Sequence, residues 1–557
     1  MTRMSISQAL SLGFAHYTAG RLAEAEMVAR AVLAAVPDES EAYRILALVA
    51  FASDRAESAV PLLQQAIALR PNSAIAYDNL SFMLRILGAI EQAETASEHA
   101  LALVPHDADY LCNHATALEA QGRLEEARRQ FERALAVNPN HATAHGNLLS
   151  CLQYSYGVGL AELAAAHADW DRRHGQPLRA AWRPWTNVRD PRRPLKLGFV
   201  SPDFGFHPVG FFLVGLFENL DRAEAQVACY SGRRRIDALT HRLRAATDLW
   251  RDVVTLSDET LAEQIRADEI DILFDLSGHT GGNRLGVFAR KPAPIQMTWA
   301  GYVGTTGLSA IDYLVADRYQ VPAGAERWFC ERVLRLPDDY ICYTPLADAP
   351  EVGPLPALAK GRVTFGGFNN PAKYSPAVIA LWSELLRRLP DSQLILKHTL
   401  PEGGRLRQRL RAMFQNEGIE PGRVEFRDWT ARLDLLATYN EVDLALDPFP
   451  YSGGLTTCEA LWMGVPVVTL PGETFASRHS LTHVSNVGIT ETVADSPEDY
   501  VRRAVELAQN LPRLAEIRAG LRQQMARSPL CDVRRFAANF AAAMREAWQR
   551  WLSEGSP

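Results

Sequence analysis

The 557-residue sequence lacks any run of about 18 consecutive apolar residues, so it predicts no membrane-spanning helix. The stretch from Met1 to Gly20 lacks the basic, apolar and small-residue order of a secretory signal peptide. The seven cysteines are odd in number and form no CxxC pair, which argues against a disulfide framework or a zinc site. We therefore expect a cytoplasmic protein with no membrane partner.

A long basic block is also missing from the sequence. The 58 lysines and arginines are outnumbered by 65 aspartates and glutamates, which gives a formal net charge of −7. Nucleic acid is therefore not an expected partner. The remaining composition, 47% hydrophobic and 22% charged, is that of an ordinary globular protein, and the length allows about three or four domains.

What the sequence does contain is a repeat of 34 residues. Three kinds of position keep this period, namely Pro37, Pro71, Pro105 and Pro139; Gly20, Asp54, Gly88 and Gly122; and Ala25, Ala59, Ala93 and Ala127. The glycine or aspartate suits a turn between two helices, the alanine allows close helix packing, and the proline ends the second helix. This pattern is typical of tetratricopeptide repeats. We predict four repeats over about 6–141 and a partial fifth, which together form an α-superhelix at 1–154.

The composition and the hydrophobic pattern of the sequence change after this superhelix. Residues 155–194 are interpreted as a helical adaptor rich in Pro, Arg and Trp, and beyond them apolar strand-like runs alternate with helical stretches. Alternation of this kind predicts parallel sheets with helices on both faces. The predicted strands are Leu195–Ser201, Gln226–Ser231, Ile270–Leu276 and Pro294–Trp299, and then Arg362–Phe368, Gln393–Lys397, Val424–Phe426, Val442–Leu446 and Pro466–Leu470.

We therefore predict a multidomain α plus α/β protein. Two doubly wound α/β domains, 195–345 and 361–531, follow the superhelix and the adaptor. A final helix at 532–557 carries an apolar row with a spacing of four residues, Phe536, Phe540, Met544, Trp548 and Leu552. Ligands of such sheets bind beyond the carboxyl ends of the strands, so the loops there should carry the chemistry.

The richest of these loops follows the strand Val442–Leu446 and leads into a helix near Leu455. Gly453 and Gly454 permit close approach of the backbone, and the helix start beyond them offers N–H groups and hydroxyls to a diphosphate. The residues predicted to bind a nucleoside diphosphate here are Gly453, Gly454, Leu455, Thr456, Thr457 and Glu459. The alternative is a glycine turn with a helix N-cap, in which the acidic residue only favours the helix dipole.

Two further groups in the same half are candidates for the cleft. Lys373 ends the loop that leaves the strand Arg362–Phe368, where a lysine can neutralise a departing diphosphate; the alternative is a solvated surface lysine. Arg432 is a weaker candidate. Asp443 and Asp447 lie at the two ends of a strand, a spacing that does not suit a metal, so we expect a metal-independent enzyme without a cofactor.

The first α/β half supplies two histidines in loops after strands. His207 follows the first strand, and a neutral imidazole there could bind or deprotonate an acceptor hydroxyl, although a lone loop histidine is more often structural. His279 lies in the loop that follows Ile270–Leu276. We predict that both contact the acceptor, and that His207 and Lys373 are the catalytic pair.

These residues and motifs together resemble the O-linked N-acetylglucosamine transferase family, including its SPINDLY-like relatives from plants. The stretches that carry the resemblance are the repeats, Ser201–Pro208, Pro292–Gln296, Gly366–Lys373, Thr456–Gly464 and Pro471–Arg478. The resemblance implies a GT-B fold, an inverting mechanism, UDP-GlcNAc as donor, and serine or threonine hydroxyls of proteins as acceptor.

The resemblance also implies roles for single residues. Lys373 matches a lysine on the donor phosphates, Asn370 a position beside the nucleotide, and Glu459 an acidic residue on the ribose. Thr456 and Thr457 match the pair at the helix start on the diphosphate, and His207 matches a cleft histidine whose role as base is disputed within the family.

The sequence departs from the animal enzymes at three positions that bear on the donor. Leu455 and Leu435 stand in place of histidines, and Arg432 in place of a lysine near the uridine. Transfer of another sugar, such as fucose from GDP-fucose, therefore stays open as an alternative. A second alternative is an inactive repeat scaffold, against which the intact lysine, threonine and glutamate positions argue.

Three asparagines give the repeats a predicted function. Asn79, Asn113 and Asn147 share the sixth position of successive repeats, where each amide offers both a donor and an acceptor to an extended peptide. Ile45 and Ser11 interrupt this row towards the N-terminus. We predict that the groove guides a protein acceptor into the cleft; the alternative is hydrogen bonding between the helices themselves.

Overall fold

The computed structural model describes residues 4–554. Residues 1–3 and 555–557, which belong to the predicted superhelix and the predicted final helix, lie outside the described residues. The chain divides into two compact units, one that ends at Cys151 and one that begins at Leu152.

The first unit is built from antiparallel helix pairs of nearly equal length. Its helices are α1 (Ile6–Thr18), α2 (Leu22–Ala35), α3 (Ser40–Ala52), α4 (Ala56–Leu69), α5 (Ala74–Ile86), α6 (Ile90–Leu103), α7 (Ala108–Ala120), α8 (Leu124–Val137) and α9 (Ala142–Tyr154), in which the boundary between the units falls. Each second helix ends two residues before a proline of the repeat, because proline cannot continue the hydrogen-bonding ladder.

The repeat positions have the conformations that the sequence predicts. The turn residues Gly20, Asp54, Gly88 and Gly122 have φ values of 73°, 57°, 78° and 68°, the left-handed region that glycine and aspartate tolerate best. The four repeated alanines are 0% exposed, as expected of small residues that lie between closely packed helices. The tetratricopeptide prediction is confirmed.

The second unit opens with a helix and an extended segment. Helix α10 (Leu160–Trp170) runs into a π-helical turn, and the chain then crosses the surface of the first α/β domain. Trp182 Nε1 donates to Ala289 O at 2.8 Å, and the Arg193 guanidinium pairs with the buried Asp271 at 2.6 Å. The Pro-, Arg- and Trp-rich stretch is thus fastened to the domain that follows it.

The first α/β domain contains a parallel sheet of seven described strands in the order β3-β2-β1-β4-β5-β6-β7. Its elements are β1 (Leu195–Ser201), α11 (Pro208–Asn219), β2 (Ala225–Ser231), α12 (Ala238–Ala245), β3 (Leu249–Asp252), α13 (Asp258–Ala267), β4 (Ile272–Asp275), α14 (Leu285–Ala289), β5 (Ile295–Thr298), β6 (Tyr313–Ala316) and β7 (Arg332–Arg335). Strands β3, β6 and β7 were not predicted. Each has four residues, and β3 and β7 carry charged residues, so the apolar run that signals a strand is too short or absent.

The second α/β domain repeats this plan with five described strands in the order β10-β9-β8-β11-β12, again all parallel. Its elements are α15 (Pro356–Lys360), β8 (Thr364–Gly367), α16 (Pro376–Arg388), β9 (Gln393–Lys397), α17 (Arg405–Asn416), β10 (Val424–Arg427), α18 (Arg432–Thr438), β11 (Leu444–Leu446), α19 (Leu455–Trp462), β12 (Val467–Val468), α20 (His479–Val487), α21 (Pro497–Gln509) and α22 (Leu511–Arg527). Both sheets are doubly wound, which confirms the predicted fold class, and the strand order reverses between β8 and β11.

The last helix packs on the first α/β domain. Helix α23 (Val533–Glu554) returns to the first sheet, where the Phe540 ring lies 5.5 Å from Phe274 and 5.1 Å from Trp299. The predicted apolar row therefore covers strands β4 and β5. Across residues 4–554, no helix combines the length and the apolar character needed to cross a membrane.

Candidate active site

The strongest candidate site lies where the strand order of the second sheet reverses. The loop after β8 and the loop after β11 meet there at the start of α19, the position at which open α/β sheets bind ligands. A small cavity opens between them, and the residues that line it include Gly366, Phe368, Asn369, Tyr439, Asp447 and Thr456. The structure thus brings together the two loops that the sequence predicted.

Lys373 is held between these loops by specific contacts. Its Nζ donates to Ser452 O at 2.8 Å and lies 3.9 Å from the centre of the Tyr451 ring. Burial lowers the pKa of Lys373, and the nearby carboxylate of Asp447 opposes this shift. The lysine is therefore a partly buried, oriented ammonium group rather than a solvated surface side chain.

Asp447 organises the glycine loop, a role that the sequence did not reveal. It is 2% exposed, accepts from Gly453 N at 2.6 Å and accepts from Thr469 Oγ1 at 2.7 Å. A Cβ on Gly453 would lie 2.6 Å from Thr457 Oγ1, closer than real atoms pack. At Gly454 the same position is open, with no atom within 4 Å. The loop therefore requires glycine at 453 and leaves space beside 454.

The two neighbouring asparagines of the β8 loop have different surroundings. Asn369 is 6% exposed, and its Nδ2 donates to Thr456 Oγ1 at 2.9 Å, which joins the two loops of the site. The predicted Asn370 is exposed, and its Oδ1 accepts from Ala372 N at 3.0 Å to cap a short turn. Asn369 is thus a site residue that the sequence analysis missed, because a single sequence does not show which of two adjacent amides faces inward.

Helix α19 presents its start to the cavity. Thr456 is half-buried, whereas Leu455 is 7% exposed and packs into the core. The Thr457 hydroxyl is turned inward, since it donates to Gly453 O at 3.0 Å and lies 2.7 Å from Ser480 Oγ. The Thr457 side chain therefore braces the loop, and backbone N–H groups are what the helix start can offer to an anion.

Arg432 and Glu459, predicted as separate donor contacts, form an ion pair with each other. The Glu459 side chain is 4% exposed, and a guanidinium nitrogen of Arg432 contacts its Oε1. The same guanidinium lies 4.6 Å above the ring of Phe211 on α11. Arg432 thus joins the second α/β domain to the first, and burial lowers its pKa.

His207 caps the N-terminus of α11. Its Nδ1 accepts from Val209 N at 3.4 Å, and the nearest carboxylate oxygen, Asp203 Oδ2, lies 3.7 Å away, beyond hydrogen-bond distance. Burial lowers the pKa of His207, and the charge of Asp203 opposes this shift. This geometry favours a neutral imidazole that carries its proton on Nε2.

His279 lies in a closed environment. His279 is 2% exposed, and its Nε2 lies 2.7 Å from Thr306 O. The rings of Trp170 and Tyr302 enclose it, with centres 4.8 Å and 5.3 Å away. The imidazole is therefore part of a buried aromatic cluster and does not open to the solvent.

The three asparagines of the first unit form hydrogen bonds to the preceding repeat. These bonds are Arg44 Nη1 to Asn79 Oδ1 at 3.2 Å, Asn113 Nδ2 to Asp78 Oδ1 at 2.7 Å, and Asn147 Nδ2 to Thr116 Oγ1 at 3.2 Å. The helix-to-helix bonding kept as an alternative is therefore present. All three side chains are half-buried, and Ile45, which interrupts the row, is 1% exposed and lies in the core.

Comparison with known proteins identifies relatives for both parts of the chain. A model described as glycosyl transferase family 41 matches residues 164–343 and 355–540, and a tetratricopeptide repeat model matches residues 10–74 and 112–153. Among residues 4–554, no group of three or more His, Cys, Asp or Glu side chains is arranged to hold a metal ion.

Two plant proteins and one bacterial structure show the extent of the similarity. The chain is 38% identical over 401 residues to a probable UDP-N-acetylglucosamine–peptide N-acetylglucosaminyltransferase SPINDLY of Solanum lycopersicum, covering 71% of this chain and 43% of that protein. It is 31% identical over 373 residues to the corresponding protein SEC of Arabidopsis thaliana, covering 65% and 38%. The chain thus spans less than half the length of these curated relatives.

The structural similarity extends over the whole chain. A mutant of the O-GlcNAc transferase of Thermobaculum terrenum is 36% identical, with a TM-score of 0.84, and the match covers 100% of this chain and 99% of that one. The resemblance drawn from the sequence motifs is confirmed by these matches.

Proposed function

We propose that this chain, which belongs to glycosyl transferase family 41, transfers N-acetylglucosamine from UDP-GlcNAc to serine or threonine hydroxyls of proteins. The observation that carries the proposal is the oriented ammonium of Lys373, which lies beside the glycine loop at the start of α19. A nucleoside diphosphate bound at this position has a cation on one side and helix N–H groups on the other.

In this mechanism the acceptor hydroxyl attacks the anomeric carbon from the side opposite the nucleotide, with inversion. The new bond to the acceptor oxygen forms as the bond to the β-phosphate oxygen breaks, and the electron pair leaves with UDP. Lys373 and the backbone N–H groups at the start of α19 stabilise the charge that develops on the diphosphate, which is the larger contribution to the rate. Arg432 and Glu459 hold each other and shape the nucleotide side of the site. We propose that the reaction requires neither a metal ion nor a cofactor.

We expect His207 to orient the acceptor rather than take its proton, because Nδ1 is occupied by Val209 N and Nε2 carries the proton. The acceptor proton then leaves to water or to the donor phosphate. His207→Ala should lower kcat by less than about tenfold, below the range of a general base. The measurement is steady-state transfer to a protein acceptor. A loss of kcat of about 10³-fold or more would assign the base to His207, provided that the variant also loses the fall in kcat that protonation of a base causes at acid pH.

The donor is tested by calorimetric titration of the protein with UDP and with GDP. We expect UDP to bind at least tenfold more tightly, since the proposed donor is UDP-GlcNAc. Preference for GDP would support transfer of fucose or a related sugar instead. An absence of binding to either nucleotide, in a protein shown to be folded, would support an inactive scaffold.

We further propose that the acceptor protein binds along the groove of the first unit. The asparagine row supports this, because each amide uses one group for its neighbouring helix and a peptide backbone can engage the other. Replacement of Asn79, Asn113 and Asn147 by alanine should lower kcat/KM for a protein acceptor about tenfold and leave UDP affinity unchanged. Unchanged turnover of the protein acceptor would leave the asparagines with a helix-packing role alone.

We propose a cytoplasmic location because the cysteines of the described structure form no disulfides. The seven cysteines form no disulfide in the described structure, and five of them are buried. Free buried thiols are characteristic of proteins that work in reducing compartments. Labelling of whole cells with a membrane-impermeant reagent should leave the protein unmodified.

A further inference from the structure

Helix α20 holds the loop that forms the diphosphate site. At its first residue, His479 N donates to Ser452 Oγ at 3.0 Å, and at the next, Ser480 Oγ donates to Gly453 O at 3.1 Å. Ser452 also carries the carbonyl that accepts from the site lysine. The position of the glycine loop, and of the ammonium bound to it, therefore depends on where α20 lies.

The same helix is held from the other side by two buried carboxylates of the first α/β domain. Asp317 directly follows β6, and Thr482 Oγ1 donates to its two oxygens at 3.1 Å and 3.2 Å. Asp339 follows β7, and its Oδ2 lies 2.9 Å from His483 Nδ1 and accepts from Asn486 Nδ2 at 3.3 Å. Both aspartates are at most 1% exposed, so these bonds form away from water, where they are stronger.

These carboxylates are themselves fixed. Asp317 accepts backbone N–H groups of Tyr319, Gln320 and Tyr340 at 2.7, 2.8 and 2.9 Å. An anchor with three backbone donors cannot follow the helix if the helix shifts, because its own loop would have to move as well. Neither Asp317 nor Asp339 is among the residues that line the donor cavity.

We propose that Asp317 and Asp339 are positioning residues for the donor site of the second domain, and that they act through α20. The first domain would then set donor affinity as well as acceptor geometry. Thr482 lies two residues after Ser480, so a displacement at the anchor is carried along less than one helical turn to Ser480 and, through its hydrogen bond, to Gly453. This inference rests on the proposed use of the site for a nucleoside diphosphate.

The test compares two buried threonines whose hydroxyls donate to different partners. Thr482→Val removes the bonds to Asp317, whereas Thr492→Val removes a bond of 2.9 Å to Ile489 O within the second domain. Both residues are 0% exposed, so both variants lose a buried hydrogen bond and some stability. We expect Thr482→Val to weaken UDP binding and to raise the donor KM about fivefold, with kcat little changed. Thr492→Val should stay within twofold of the parent protein in all three quantities.

Thr482→Ser keeps the hydroxyl and should restore the parent affinity, which a general loss of packing would not do. Equal nucleotide affinity in the Thr482→Val and Thr492→Val variants would overturn the inference. Each variant is titrated with UDP and GDP, and its folding is checked by thermal unfolding. If the parent protein binds neither nucleotide, the proposed function fails; if it binds one and the two valine variants agree, only the positioning role fails.

Discussion

Replacement of Lys373 by methionine is expected to lower kcat by about 10²–10³-fold, the cost of removing one preorganised group that stabilises developing charge. Methionine has nearly the same length and no charge, so the variant tests the ammonium and not the space that it fills. The Nζ donates to Ser452 O at 2.8 Å in the described structure, so the ammonium is held beside the glycine loop of the proposed diphosphate site. The measurement is kcat for transfer from UDP-GlcNAc to a protein acceptor.

Lys360 is a matched control for this variant. It belongs to the same domain, and its Nζ also donates to a backbone carbonyl, that of Glu441 at 3.2 Å, but it is exposed and ends a surface helix. Lys360→Met should retain nearly all activity. If Lys373→Met kept turnover within tenfold of the parent while remaining folded, the assignment of the phosphate site would be wrong.

Replacement of Gly453 by alanine is expected to reduce UDP affinity and turnover by about 10²-fold, because a displacement of about 1 Å at the reacting groups has costs of this size. The added Cβ would lie 2.6 Å from Thr457 Oγ1 and 2.7 Å from Thr456 Oγ1. The first of these hydroxyls is tied to Gly453 O and Ser480, so it has no free space into which to rotate. Overpacking should also lower the free energy of unfolding by about 1–3 kcal/mol.

Gly422 provides the comparison for this effect. It lies in a turn of the same domain, and a Cβ there meets no atom within 4 Å. Gly422→Ala should leave UDP affinity unchanged and should not lower stability, since alanine reduces the freedom of the unfolded chain. Calorimetry and thermal unfolding of both variants distinguish a local distortion of the loop from a generic glycine effect. Parent-like UDP binding by Gly453→Ala would contradict the close packing described for this loop.

The repeats were predictable from the sequence because each of their special positions has a local physical cause. One residue type determines each feature: Gly20 or Asp54 allows the left-handed turn, Ala25 allows the tight contact, and Pro37 ends the helix. The 34-residue period repeats these residue types. The long apolar strands were found for the same reason. Strand β1 was predicted with its observed ends because most of its seven residues are apolar and Lys196 is its one charged residue.

What the sequence did not reveal depends on contacts between distant segments. Nothing local pairs Arg432 with Glu459 or seats its guanidinium on Phe211, which belongs to the other α/β domain. His279 follows a strand in the same way as His207, but only the tertiary structure encloses one and leaves the other at a helix start. The rule that ligands bind beyond the carboxyl ends of parallel strands locates a site, whereas packing decides the direction of each side chain.

The crossing of α23 back to the first sheet constrains how this chain matures on the ribosome. Phe274 and Trp299 gain their aromatic cover from Phe540, which is synthesised more than 200 residues later. Part of the apolar surface of the first α/β domain therefore stays uncovered until the second domain and α23 have been translated. Domains usually complete their folding in the order of synthesis, whereas here the earlier domain is finished last. Nascent chains that stall before Val533 should accordingly be substrates for chaperones that bind exposed apolar surface, even when both sheets have already formed.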